Sequence, residues 1–204
     1  LAERAPEDLF GAALAHMAFA REFASGTPKI RIYNPREDEH GWSSPNTVIE
    51  MVNDDMPFLI DSVTMEANRQ GYAVQMLAHP IFHVRRDREG AWQGLDGESS
   101  RTESFIHMEV ERESDPARIK ALGQGLAHVL ADVRAATGDW QAMRDRMSEV
   151  VASVASMPVA EGADLDEIAA FLDWANNQHF TFLGYRDYQL TREGDELMLS
   201  IVPN

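Results

Sequence analysis

Two observations predict an α+β fold resting on one antiparallel sheet. Residues 47–138 run strand, helix, strand, strand, helix, and their apolar residues alternate in the strands and recur at i, i+3, i+4 in the helices. That βαββα order is five-sixths of a ferredoxin-like βαββαβ unit, in which both helices pack on one sheet face. The sixth strand is missing where it is due, because Asp139 opens a helix instead. Lys29–Tyr33 (KIRIY) is therefore predicted to fill the vacant edge as an added strand.

In chain order, Pro6 begins a helix expected to reach about Phe23, with Leu9, Phe10, Ala13, Leu14 and Met17 on one face, and it ends before Gly26 and Pro28. KIRIY alternates as an edge strand, and residues 34–45, full of charge, Gly and Pro, form a loop. TVIEMV (47–52) is a short buried strand. Pro57 then fits a first helical turn, where its missing N–H costs nothing, and Met56, Leu59, Ile60, Val63 and Ala67 follow at helical spacing until Gly71.

AVQMLAHPIFHVRR (73–86) is a long strand with Val74, Met76, Ala78, Phe82 and Val84 on one face. Pro80 cannot donate to the ladder and marks a bulge or an edge. Residues 87–102, with Gly90, Gly94 and Gly97, are expected to be loop. The strand at 103–111 turns Ile106, Met108 and Val110 one way, pairs with the 73–86 strand, and lies centrally between it and the 47–52 strand. Ser114 and Asp115 before Pro116 open a helix striped by Ile119, Leu122, Leu126, Val129, Leu130 and Val133, which ends at Gly138.

Asp139 caps a further helix through Trp140, Met143, Met147, Val150 and Val154, predicted to stop near Pro158. Asp164 with Glu167 forms a capping-box pattern ahead of Leu165, Ile168, Leu172 and Ala175. The chain then turns β-rich at 180–190 and 197–202, with a turn at 193–195, as the start of a second β-containing domain. The predicted divisions are an N-terminal helix at 1–27, the sheet domain at 28–138, a helical connector at 139–178, and the second domain from 179.

Composition narrows the function classes. With 34 acidic against 18 basic residues the formal charge is −16, which repels phosphate backbones and argues against nucleic-acid and anionic-membrane partners. Without cysteine there is no thiolate catalysis and no thiolate metal site, and a reducing cytoplasmic setting is compatible. No apolar run approaches the ~20 residues of a membrane span, and LAERAPEDLF lacks the order of a signal peptide. Beginning at Leu1 and stopping just after a strand, the chain is expected to be part of a longer protein.

Two candidate sites stand out. The first is the strand-to-helix corner Asn53, Asp54, Asp55, Met56, Pro57 and Phe58, whose acidic pair is expected either to cap the helix or to meet a ligand or partner. The second is the sheet face away from the helices, to which period-2 alternation assigns Leu77, His79, Ile81, His83, Phe105, His107 and Glu109. That face is too apolar to be left bare and is expected to pack on another domain or subunit. A metal enzyme using His79, His83 and His107 is an alternative. It is disfavoured because four residues of strand separate two rings by about 13 Å, so no metal ligand is assigned.

Gly123-Gln-Gly125-Leu-Ala-His128 opens like a dinucleotide loop but lies inside a helix stripe and follows no strand. Asp61 and Ser62 point about 100° apart on one helix and make no triad with a distant histidine. No phosphate-binding loop or nucleophile elbow occurs. No catalytic or cofactor-binding residue is therefore expected within this chain.

NDDMPFLIDSVTMEANRQGYAVQMLAHPIFHVRRDREG (53–90) and NNQHFTFLGYRDYQL (176–190) resemble the N-terminal region of the large bacterial NAD-specific glutamate dehydrogenases. That resemblance implies an ACT-like domain, a βαββαβ module that elsewhere binds amino-acid effectors at its first strand-to-helix turn. It also implies a parent enzyme that converts glutamate to 2-oxoglutarate and ammonia with NAD bound in a distant C-terminal region. This chain would then serve regulation or oligomerisation, with other domains of the parent and further copies as partners. The ACT turn runs D-x-P-G-L-L, and here it reads Asp55-Met56-Pro57-Phe58-Leu59-Ile60. Phe58 in place of glycine implies that a ligand cannot approach the backbone, so the turn serves packing or assembly. An amino-acid sensor at residues 53–58 is the alternative.

Overall fold

The structure is a computed structural model and describes residues 4–156, 164–193 and 196–202. The helix stop predicted near Pro158 and the tip of the turn at 194–195 lie outside the described residues. Backbone contacts divide the chain into residues 1–134 and 135–204.

In the first unit, strands β1 (Lys29–Tyr33), β2 (Thr47–Asp54), β3 (Val74–Ala78), β4 (Ile81–Arg86), β5 (Trp92–Leu95) and β6 (Arg101–Val110) form one antiparallel sheet. Its order is β1-β2-β6-β4-β5, with β3 also paired to β6. KIRIY thus occupies the outer edge beside β2, and the strand at 101–110 is central. The 73–86 segment is interrupted at His79-Pro80, but Ala78 opposite His107 and Ile81 opposite Ser104 keep a single register. Phe105 N–H donates to the Pro80 carbonyl at 3.0 Å across the gap. The segment expected to be loop contains β5, a four-residue strand too short and glycine-marked to show a period.

Helices α1 (Pro6–Phe19), α2 (Glu37–His40), α3 (Leu59–Arg69) and α4 (Pro116–Thr137) complete this part of the chain, α2 being a single turn inside the expected loop at 34–45. On one sheet face, Leu59, Val63 and Ala67 of α3 and Leu122, Leu126, Leu130 and Val133 of α4 close on Ile49, Met51, Ile106, Met108 and Val110. The helical stripes read from the sequence are the stripes observed. Gly125 lies where Glu66 of α3 crosses, since a Cβ there would stand 2.0 Å from Glu66 Oε1. The apparent dinucleotide motif is accordingly a helix-contact feature.

α1 covers the opposite face, with a phase its apolar residues do not suggest. Ala12, His16 and Ala20 are buried, whereas Phe10, Leu14 and Met17 are exposed. Close approach selects the small residues. A Cβ on Gly11 would lie 2.4 Å from Trp42 Cβ, so α1 can seat against Trp42 and Val48 only through its Gly/Ala side.

In the second unit, α5 (Trp140–Ser153) ends in a 3₁₀ turn at Val154–Ser156, and α6 (Leu165–Trp174) runs into a π-helical turn at Ala175–His179. Asp164 caps α6, accepting from Asp166 N and Glu167 N at 3.0 Å each. β7 (Tyr188–Glu193) and β8 (Glu196–Ile201) form a separate hairpin, and residues 181–187 are irregular where a strand was expected. Arg146 pairs with Asp187 at 3.2 Å. No helix among the described residues is long and apolar enough to cross a membrane.

Candidate functional site

The corner after β2 does not have the capped geometry that an N1 proline implies. The helix begins at Leu59, and Phe58 is its N-cap residue with φ 69° and ψ 5°. That left-handed conformation is ordinary for glycine and costs a residue with a Cβ ~1–2 kcal/mol. The position thus keeps the backbone of a glycine turn while carrying a phenylalanine, whose side chain stands half-exposed. The acidic pair does not cap the helix either. Asp54 accepts from Gly26 N–H at 2.9 Å and from Arg134 at 2.7 Å, and Asp55 accepts from the Ser104 hydroxyl at 2.6 Å.

Desolvation raises the Asp54 pKa, but the Gly26 N–H together with Ser25 and Arg134 outweighs it and holds the carboxyl below its usual range. Asn53 is buried, and its Oδ1 accepts from Arg134 at 3.1 Å. His79 Nε2 lies 2.9 Å from Ser104 Oγ, extending a chain from His79 through Ser104 to Asp55. The corner's carboxylates are therefore engaged in holding α4, the 25–26 turn and the β4 approach.

The second predicted site is not a single face. Residues directly opposite in antiparallel strands share a face, and the register sets Leu77 opposite Met108, Met76 opposite Glu109 and Ala78 opposite His107. Leu77, His79, Ile81 and His83 consequently lie on the α3/α4 side, and Phe105, His107 and Glu109 on the α1 side. The cause is a bulge between Val74 and Met76, which inverts the alternation read onward from Val74. His83 is exposed and pairs only loosely, 3.3 Å from Thr102 Oγ1. The grouping of His79, His83 and His107 is thereby overturned.

The α1 side is instead covered within its own unit. The His16 ring centroid lies 5.5 Å from that of Phe105 and 6.2 Å from that of His107, and Trp42 lies 6.5 Å from His107. The expectation that another domain or subunit covers Phe105, His107 and Glu109 is therefore corrected: α1 and Trp42 do so.

Beneath α1 runs a buried charged layer. Glu50, opposite His107 in the register, accepts from Arg31 Nε at 2.8 Å and from the Tyr33 hydroxyl at 3.1 Å. Glu109 accepts from Ser44 at 2.9 Å and Asn46 at 3.0 Å, pairs with Arg4, and lies 3.2 Å from His107 Nε2. Arg86 and Glu103, both fully buried, pair at 2.7 Å. Burial, then the charge of the neighbouring His107, lower the His16 pKa to about 4 despite its contact with the Met51 carbonyl. Burial pushes the Glu109 carboxyl up, but His107, Asn46, Arg4 and Ser44 together hold it at about 2.

His16, Arg31, Glu50, Arg86 and Glu103 were not singled out from the sequence. A signal for Glu50 was present, since period two in TVIEMV places an acid between Val48 and Val52 on one face.

Residues 1–126 match the family described as glutamate dehydrogenase, ACT1 domain. The chain belongs to this family. Beyond the ACT1 match, it is 37% identical over 212 aligned positions to the NAD-specific glutamate dehydrogenase of Halomonas elongata, covering 100% of the chain and 13% of that protein. The corresponding figures for the NAD-specific glutamate dehydrogenase of Pseudomonas aeruginosa are 32% over 201 positions, 96% and 12%. For that of Mycobacterium tuberculosis they are 26% over 179 positions, 84% and 11%. The chain thus spans a small part of each relative's length. Its ACT1 match covers most of the first unit, including the Asn53 corner and the buried layer.

Proposed function

We propose that this chain is a non-catalytic regulatory and assembly segment of a large cytoplasmic NAD-dependent glutamate dehydrogenase, whose parent polypeptide oxidises glutamate to 2-oxoglutarate and ammonia. NAD belongs to the parent's catalytic region, and the segment's partners are other domains of that chain and further copies of it. The observation that carries this reading is the Asn53 corner. Asp54 and Asp55 are committed to Gly26, Arg134 and Ser104, and a phenylalanine stands at position 58 with the left-handed backbone that a glycine would take.

A sensing role is the second reading, and one observation favours it. Asn53 Nδ2 is buried and has no hydrogen-bond partner among the described residues, as a donor awaiting a ligand carboxylate would be.

Calorimetric titration of the chain and of Phe58→Gly with each proteinogenic amino acid separates the two readings. The assembly reading expects no saturable heat from either protein. Phe58→Gly is expected to be more stable by ~1 kcal/mol, because glycine accepts the left-handed backbone without penalty. Stereoselective binding that Asp55→Ala abolishes would establish the sensor.

A further inference from the structure

The buried layer brings together a ligand set that neither the family match nor the relatives' names assign. One ring nitrogen of His16, one of His107 and an oxygen of Glu50 lie within 4.8 Å of one another, and all three residues are buried. They come from α1, β6 and β2, and Glu50 and His107 are directly cross-strand. We propose that His16, Glu50 and His107 bind a first-row divalent transition metal, zinc being the best match, which clips α1 to the sheet.

The geometry supports this in three ways. Ligands to such a metal stand ~2.0–2.2 Å from it, so side-chain shifts of well under a residue's length close the triangle. Each imidazole is already oriented by a partner outside the triad, His16 Nε2 by the Met51 carbonyl at 3.3 Å and His107 Nε2 by Glu109 at 3.2 Å. With Nε2 held from outside in this way, Nδ1 is the nitrogen that each ring would turn to the ion, as in carboxylate–histidine–metal arrangements. Glu50 accepts Nε and Nη2 of Arg31 on Oε2 and the Tyr33 hydroxyl on Oε1, which steadies the carboxylate and leaves Oε1 with a lone pair for the ion.

The surrounding charges select the kind of ion. Arg31 and Arg4 already neutralise Glu50 and Glu109, so the site offers imidazole donors rather than excess negative charge. Calcium and magnesium require several oxygen ligands and gain little here, whereas imidazole with one carboxylate suits zinc and cobalt. Elsewhere, His128 and Asp132 are a surface pair.

The test is made on the purified chain after chelator treatment and dialysis. Zinc is expected to bind with one ion retained per chain and to raise the thermal midpoint, with calcium giving neither effect. Cobalt is expected to give visible d–d absorption bands that zinc displaces. His16→Gln should abolish retention, and Glu109→Gln should weaken affinity ~10–100-fold by releasing the His107 ring. His128→Ala should change nothing. Because Glu50→Gln disturbs the Arg31 pair as well, the cobalt spectrum of the unaltered chain and the His16→Gln result decide the matter. Failure to retain zinc, or retention that survives His16→Gln, would overturn the proposal.

Discussion

Replacing Arg86 by alanine is expected to destabilise the first unit by ~3–5 kcal/mol, the cost of leaving a buried charge without its partner. Arg86 and Glu103 have no exposed side-chain surface, and the pair is bidentate, Nε to Oε1 at 2.7 Å and Nη2 to Oε2 at 2.8 Å. The same guanidinium donates to the carbonyls of Ala20 and Gly90 at 2.9 Å each, and so ties the end of α1 to the turn before β5. Alanine strands the Glu103 carboxylate and removes a donor from both carbonyls, Gly90 O keeping the Phe23 N–H at 3.0 Å. Arg86→Lys keeps the charge but loses the fork, so it should recover only part of the loss. The comparison is Arg36→Ala, whose partner Asp38 is 74% exposed, and which should cost less than ~1 kcal/mol. Urea unfolding of the three variants measures this, and equal midpoints for Arg86→Ala and Arg36→Ala would show that the buried layer does not hold the fold.

Acid is expected to unfold the first unit in two overlapping stages when metal is kept out by chelator. His16 has its pKa lowered from 6.5 to about 4 by burial and the neighbouring His107, so the unfolded chain binds the proton first. Stability is full above pH 6.5 and falls as pH drops towards 4, by ~3 kcal/mol at ~1.4 kcal/mol per unit. Glu109, lowered from 4.5 to about 2, contributes stability above pH 4.5 that is lost as pH falls towards 2, by a similar ~3 kcal/mol. Both act in the same direction and together rival the ~5–15 kcal/mol of a typical domain. Urea midpoints at pH 7, 5 and 4 should fall steadily. His16→Gln should flatten the interval from 6.5 to 4 and leave the lower stage intact, and an unchanged slope in that variant would contradict the assignment.

Elements whose pattern repeats over several turns were legible in the sequence. The stripe from Leu122 to Val133 and the Leu59, Val63, Ala67 face lie where periodicity places them. So does KIRIY, since a vacant edge beside β2 leaves one place for a short alternating strand. Single-residue events were not legible. The bulge at Gln75 inverts every side chain after it, which moved Leu77, His79, Ile81 and His83 to the wrong face while Phe105, His107 and Glu109 stayed correctly assigned. α1 misled for another reason: its large apolar residues point outward because Trp42 admits only the Gly11 side. The corner at residues 53–58 was found by its residues, and its phenylalanine was recognised as a substitution for glycine. What those residues do depended on Gly26, Ser104 and Arg134, which are distant in sequence and carry no local signal.

The central claim, that this chain assists assembly and regulation without taking part in the chemistry, is tested most directly in the full-length parent. Residues 1–134 would be deleted, and the oligomer distribution by mass photometry would be measured beside glutamate-dependent NAD reduction. The expected result is a changed oligomer distribution, with NAD binding and the capacity to reduce it retained per catalytic centre. An unaltered assembly, or loss of NAD binding itself, would contradict the account.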